Sequence, residues 1–157
     1  MSATNHANAE PVDMKLEVVV IGVSDVDRAK AFYEKLGWRL DADISGGPNF
    51  RVVQFTPPGS DCSIWMGKGV TPAAPGSQAL LLAVHDVVKA REELVSRGAT
   101  VSEVYHRSAT NPRAPGPDPE RKSYASLAEF KDPDGNGWLL QEIRERLPGR
   151  GSTPPAG

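Results

Sequence analysis

Short apolar runs alternate along the chain with segments of helical periodicity, and the same order of elements occurs twice. In the first half, the β-branched run LEVVVIG at 16–22 predicts a buried strand. Apolar residues at helical spacing follow from Val26 to Leu36 and predict a helix with one buried face. Turns at GGP and PPGSD separate three further predicted strands, at about 38–44, 50–56 and 62–67. The first half therefore has the order β-α-β-β-β.

The second half repeats this plan. Residues 23–40 (VSDVDRAKAFYEKLGWRL) align without a gap on residues 84–101 (VHDVVKAREELVSRGATV), an offset of 61 residues. Asp25 and Asp86 are predicted N-caps, and the glycine at the end of each helix is a predicted C-cap. ALLLAV, residues 100–106, YASLAEF and WLLQEI are the predicted strands of this half. The closing turns align at an offset of 76, which places 15 additional residues in the loop at 107–122.

A single β-α-β-β-β half leaves one face of its sheet bare, and that face must be covered. The predicted fold class is α+β, with two βαβββ repeats at 15–67 and 77–144 that form a half-open, barrel-like cleft with the helices outside. Both repeats belong to one predicted domain, 15–146. The termini at 1–14 and 147–157 are polar and rich in breakers, which predicts two disordered tails.

Composition narrows the classes of partner. The net charge is -2, with 18 basic and 20 acidic residues, which argues against a nucleic-acid partner. The sequence shows no signal peptide and no apolar run that could span a membrane. Cys62 is the only cysteine, so an internal disulfide and a cysteine-built zinc site are both excluded. These features predict a cytoplasmic protein without membrane association.

Three segments in order carry a resemblance to a known family. VVVIGVSDVDRAKAFYEKLGW, LLLAVHDVVKAREELVSRGA and FKDPDGNGWLLQE resemble the glyoxalase, bleomycin-resistance and extradiol-dioxygenase superfamily, the vicinal oxygen chelate fold. The likeness covers residues 15–146. It implies a homodimer, because a second chain completes the exposed sheets of many members. It also implies that metal-using members place ligands at four inward-facing strand positions.

Those four positions are Val18, Ser63, Ala79 and Leu139 in this chain. Divalent metals bind imidazole, carboxylate or thiolate groups, which none of these residues supplies. Glu17 or Gln78 would turn inward only after a one-residue slip, and this slip would reverse every other side chain on its strand. We therefore expect no metal and no other cofactor.

Strand alternation predicts which side chains line the cleft. Trp65 shares a face with Ser63, and Gln141 shares one with Leu139, so that Trp65 and Gln141 are expected to stand opposite each other. The predicted ligand-binding residues are Val18, Val20, Ser63, Trp65, Ala79, Leu81, Ser126, Leu139 and Gln141. This lining is largely apolar and suits a small apolar or aromatic molecule.

Two residues are candidates for catalysis. His106 ends a strand before the long loop, where a histidine could act as a general base, and Tyr124 could present a hydroxyl. The competing interpretation of His106 is a strand-end residue that meets solvent. Glu142 is expected to point away from the cleft and to be paired rather than catalytic.

The loop at 107–122 has four prolines and several basic residues, and either a lid or a floppy surface insertion explains it. The sequence thus favours a protein that binds a small molecule without metal. The alternative is a metal-independent lyase or isomerase that uses His106 or Tyr124. A metal-dependent glyoxalase or dioxygenase fits the four ligand positions less well.

Overall fold

The computed structural model describes residues 10–150, and its first half follows the predicted order of elements. A sheet with the strand order β1-β4-β3-β2 has β1 parallel to β4 and the other pairs antiparallel. One helix follows β1. The elements are β1 (Val18–Val20), α1 (Val26–Lys35), β2 (Arg39–Ser45), β3 (Arg51–Thr56) and β4 (Ser63–Lys68).

The second half has the same topology with one short strand added. Its sheet order is β5-β9-β8-β6-β7, in which β7 comes from the long loop. The elements are β5 (Ala79–Val84), α2 (Val87–Ser96), β6 (Tyr105–His106), β7 (Ala114–Pro115), β8 (Ser126–Lys131) and β9 (Gly137–Glu142). The predicted α+β class with two βαβββ repeats is confirmed, and the sheets are not closed into a barrel.

Both helices begin and end where the sequence predicts. The Asp25 carboxylate accepts from the Arg28 N–H at 3.0 Å. The Asp86 carboxylate accepts from the Val88 and Lys89 N–H groups at 3.0 and 3.1 Å. Gly37 and Gly98 follow the helices with φ of 81° and 98°, a left-handed conformation that glycine adopts without steric cost.

One predicted strand is largely absent. Of residues 100–106, only Tyr105 and His106 form a strand, and Val101 makes an isolated bridge to Phe130. Arg91 explains the interruption, because its guanidinium donates to the Ser102 carbonyl at 2.8 Å and to the Val101 carbonyl at 3.4 Å. Those carbonyls bond to a helix side chain instead of a neighbouring strand.

The two halves meet through their helix-covered faces. Tyr33 of α1 contacts Phe55 of the first sheet and Trp138 of the second, with ring centroids 5.9 and 6.1 Å apart. The Tyr33 hydroxyl donates to Asp132 at 2.9 Å and accepts from the Trp138 indole N–H at 2.9 Å. Side chains of both sheets and both helices therefore share one hydrophobic core.

This packing distinguishes the two faces of each sheet. Each helix covers one face of its own sheet. The two halves of the chain meet through these helix-covered faces, where Tyr33 contacts Trp138. The opposite faces carry the predicted cleft residues other than Ser126 and have no helix over them. Where the two halves come together, a cavity of about 360 Å³ is lined by residues of both, among them Ser63, Ala79 and Leu81.

The termini and the helices complete the description. The predicted tails fall largely on residues 1–9 and 151–157, which lie outside the described residues, and the remaining tail residues belong to no strand or helix. No helix within 10–150 has both the length and the apolar character needed to cross a membrane.

Candidate functional site

The uncovered face of the first sheet centres on Trp65. Strand pairing sets Val20, Trp65 and Gln54 side by side in one row, and Val18 beside Ser63 in the next. Trp65 is 38% exposed, although it lies in the middle of a sheet. Its indole N–H donates to the Gln54 side-chain oxygen at 2.7 Å, which holds the ring in one orientation. This face presents a fixed aromatic surface flanked by aliphatic side chains.

The uncovered face of the second sheet is largely apolar along β5 and β9. Pairing places Ala79 beside Gly137, Leu81 beside Leu139, and Ala83 beside Gln141. Leu81 is 50% exposed, a large value for leucine on a central part of a sheet. A cavity of about 470 Å³ lies over this face around Gly137 and Leu139.

Trp65 and Gln141 lie on different sheets, and each forms a hydrogen bond within its own half. The Gln141 amide donates to the Tyr124 carbonyl at 2.9 Å, and only 8% of the residue is exposed. That the two side chains face each other across a cleft stays a prediction.

Three of the four positions at which metal-using members place ligands carry apolar side chains in this chain, and the fourth carries a serine. Ser63 supplies the only polar side chain among them, and its hydroxyl lies 2.6 Å from that of Thr56. Thr56 in turn donates to the Asp41 carboxylate, so the Ser63 proton is directed at Thr56. Hydrogen bonds from Arg39 and then from Thr56 hold the pKa of Asp41 below its usual value. The valine, alanine and leucine supply no donor atom and the serine hydroxyl is engaged with Thr56, so the side chains at these positions do not fit a metal ion.

His106 and Ser126 lie on the helix-covered side of the second sheet. His106 of β6 pairs with Ser126 of β8, and Ser126 lies on the same face of its strand as Ala128. Ala128 pairs with Leu140, and both belong to the core. The His106 Nδ1 lies 2.8 Å from the Gly116 carbonyl oxygen. Ser126 is fully buried, and its hydroxyl accepts from the Asp118 N–H at 2.9 Å. Neither side chain is on the face that carries the other predicted ligand-binding residues.

Tyr124 also has a local role. Its hydroxyl accepts from the Leu147 N–H at 3.1 Å, and its backbone has a φ of 74°, which is uncommon for a residue with a side chain. Its N–H donates to the Glu142 carbonyl at 2.8 Å. Tyr124 thus ties the start of β8 to the end of β9 and to the segment that follows.

A polar cluster at the far edge of the second sheet was missed at the level of sequence. Tyr105 pairs with Leu127 and therefore lies on the uncovered face. Arg113 stacks on the Tyr105 ring at 3.9 Å and donates to Glu129 at 3.0 Å. Burial and then the Glu129 charge raise the pKa of Tyr105. Alternation along YASLAEFK would have found Glu129, since it is in phase with Leu127.

Glu142 points away from the uncovered face, as predicted, and is paired. The carboxylate is fully buried and accepts from Arg121 at 2.6 and 3.0 Å and from the Val87 N–H at 3.1 Å. Burial alone would raise the pKa of Glu142, but these hydrogen bonds and the charges of Arg121 and Arg144 outweigh burial and lower it. Glu142 thus anchors the first turn of α2 to the sheet.

The long loop is anchored to the second half at several points. β7 pairs with β6, and the Gly116 N–H donates to the Val104 carbonyl at 2.9 Å. Arg121 reaches both Glu142 and Asp86. The description as a floppy insertion does not fit these contacts. The loop follows the edge of its sheet, with Arg121 on the helix side and Arg113 over Tyr105 and Glu129 on the uncovered face.

Comparisons with known proteins agree with this architecture. The sequence profile of the Glyoxalase/Bleomycin resistance protein/Dioxygenase superfamily matches residues 15–140. The crystal structure of TnmS3, an antibiotic binding protein from Streptomyces sp. CB03234, is similar with a TM-score of 0.65 and 30% identity over 85% of this chain and 99% of that one. A glyoxalase/bleomycin resistance protein from the same Streptomyces strain shows 32% identity and a TM-score of 0.61, over 82% of this chain and 100% of that one. An uncharacterised Bacillus subtilis protein, YetH, is 26% identical over 82% of this chain and 98% of its own length.

Proposed function

Because the chain belongs to the Glyoxalase/Bleomycin resistance protein/Dioxygenase superfamily, we propose that it binds a small, largely apolar or aromatic molecule without a metal ion. The observation that carries this proposal is the exposed indole of Trp65, which Gln54 orients on an otherwise aliphatic sheet face. A fixed aromatic plate stacks on a flat molecule without first losing side-chain freedom. TnmS3, an antibiotic binding protein, is a relative that supports the general kind of function.

No observation favours the alternative of a metal-independent lyase or isomerase. His106 and Ser126 lie on the helix side of the sheet, and the Tyr124 hydroxyl is engaged with the Leu147 N–H. A catalytic base must come within hydrogen-bond reach of its substrate. Binding is therefore the function that the geometry supports best.

We propose that a second copy of the chain packs against the uncovered faces. The exposed apolar side chains on these faces include Ile44 at 56%, Leu81 at 50% and Trp65 at 38%. Each face alone is too open to bury most of a ligand, as small-molecule sites do. Two copies could bring the Trp65 face of one against the Gln141 face of the other, and each cleft would then contain both halves of the predicted lining.

Replacing Trp65 with alanine is expected to weaken binding of a flat apolar probe, N-phenyl-1-naphthylamine, about tenfold. Loss of stacking and of buried area accounts for about 1.4 kcal/mol, which is a factor of ten in Kd. Fluorescence titration measures the Kd, and circular dichroism checks that the fold survives. Trp65→Phe is the matched control and should retain most of the affinity. Unchanged affinity in Trp65→Ala would show that Trp65 does not contact the probe, and an unfolded variant would show that Trp65 serves the fold instead of the site.

The purified protein is expected to have twice the mass of one chain at micromolar concentration. Burial of exposed leucine, isoleucine and tryptophan on the uncovered faces supplies the driving force. Multi-angle light scattering across a dilution series measures the mass. A single-chain mass at concentrations where the probe already binds would show that no second copy is needed.

A further inference from the structure

The cavity on the second sheet lies over a row of three residues that strand pairing places side by side: Ala79, Gly137 and Lys131. Thr100 borders it on the far side of β8, and Leu139 and Glu129 lie in the neighbouring row. The cavity therefore opens onto the uncovered face, the same face that carries the ligand-binding residues of the proposed function.

Gly137 creates the depth of this cavity. A Cβ at Gly137 would have the Gln78 carbonyl oxygen, 4.0 Å away, as its only close neighbour. The φ of Gly137 is not positive, so a side chain could be accommodated without backbone strain. The missing side chain leaves open volume and is not required by the turn before β9.

Lys131 brings a positive charge to this apolar cavity. Within residues 10–150 Lys131 forms no ion pair, whereas Glu129, the other charged residue that lines the cavity, pairs with Arg113. Glu129 accepts from Arg113 at 3.0 Å and from the Tyr105 hydroxyl at 3.3 Å. Arg113 does not line the cavity, but its ion pair offsets the charge of Glu129, so that among the described residues Lys131 is the charged lining residue without an ion-pair partner.

We propose that Lys131 selects ligands that carry an anionic group, such as a carboxylate, sulfonate or phenolate, while the apolar part of the ligand lies over Gly137. This inference rests on the proposed function and names the chemical class of the ligand. A lysine ammonium is a point charge with three rotatable donors, so it favours a negative charge without demanding one geometry. Its effect on affinity is moderate because the cavity is open to solvent, which screens the interaction.

Two probes that differ by one sulfonate test the proposal. The anionic probe is 8-anilino-1-naphthalenesulfonate, and the neutral probe is N-phenyl-1-naphthylamine. The wild-type protein should bind the anionic probe more tightly, and Lys131→Met should weaken that probe about fivefold while leaving the neutral probe unchanged. Lys89→Met removes an equal charge from an exposed position on α2 and should leave both affinities unchanged. Gly137→Leu fills the cavity and should weaken both probes.

The possible failures are distinguishable. If Lys131→Met changes neither affinity, or changes both equally, while Gly137→Leu and Trp65→Ala still weaken the neutral probe, the charge selection is wrong and the proposed function stands. If Lys89→Met reproduces the effect of Lys131→Met, only the overall charge matters and the proposal is wrong. If neither probe binds the wild-type protein, both the proposed function and this inference fail.

Discussion

Replacing Arg121 with methionine is expected to lower the free energy of unfolding at pH 7 by about 3 kcal/mol, the loss typical of a buried ion pair deprived of one partner. Glu142 is fully buried, and Arg121 makes two of its hydrogen bonds. The variant leaves the carboxylate with the Val87 N–H and with Arg144 at 3.6 Å. Urea unfolding at one fixed protein concentration measures the loss, because association would otherwise shift the transition.

The loss should depend on pH with a definite sign. In the wild-type protein, Arg121 and its neighbours hold the pKa of Glu142 below its usual value. Glu142 therefore contributes stability above its unfolded pKa, near 4.3, and this contribution is lost as the pH falls through the folded pKa. Without Arg121, burial raises the pKa, so the variant gains relative stability when Glu142 becomes protonated. The difference between the two proteins should narrow as the pH falls from the raised pKa of the variant toward about 4.3.

Two controls isolate the ion pair. Lys122→Met removes a neighbouring exposed charge and should change stability by less than about 0.5 kcal/mol. Adding Glu142→Gln to Arg121→Met removes the unpaired charge and should recover part of the loss. If Arg121→Met is as stable as Lys122→Met, then Glu142 does not depend on this partner.

Replacing Tyr33 with phenylalanine is expected to cost about 2 to 3 kcal/mol, although only one oxygen atom is removed. The hydroxyl is fully buried and is the acceptor for the Trp138 indole N–H. It also donates to Asp132, which keeps a second donor in the Asn136 amide at 2.9 Å. The main cost is therefore the buried indole N–H, which is left without an acceptor.

Tyr105→Phe is the matched control for this variant. Its hydroxyl bonds to Glu129 at the exposed edge of the sheet, where water can replace it. Its expected effect is below about 0.5 kcal/mol. Equal stability of Tyr33→Phe and Tyr105→Phe, measured by urea unfolding, would mean that the contact between α1 and the second sheet does not rely on this hydrogen bond.

Sequence reasoning was most successful where the signal is local. The caps at Asp25 and Asp86 and the glycines after each helix depend on a few neighbouring residues, so the helix ends were predicted correctly. Alternation likewise predicted that Trp65 shares a face with Ser63 and that Glu142 points to the other side. It was less successful for His106, because a strand of two residues offers no alternation from which to judge its face.

The sequence by itself determined the repeat, the order of elements and the lack of metal-binding side chains at the four family positions, because each follows from residue type and spacing. Only the tertiary structure decided which faces the two halves of the chain press together. The run ALLLAV shows why, since it places apolar side chains on both faces of β5. Such a run predicts that both faces will be covered, but it does not distinguish the face that packs on its own helices from the one left for a ligand or a second chain. That choice depends on contacts between distant residues, such as Tyr33 with Trp138, which no local pattern contains.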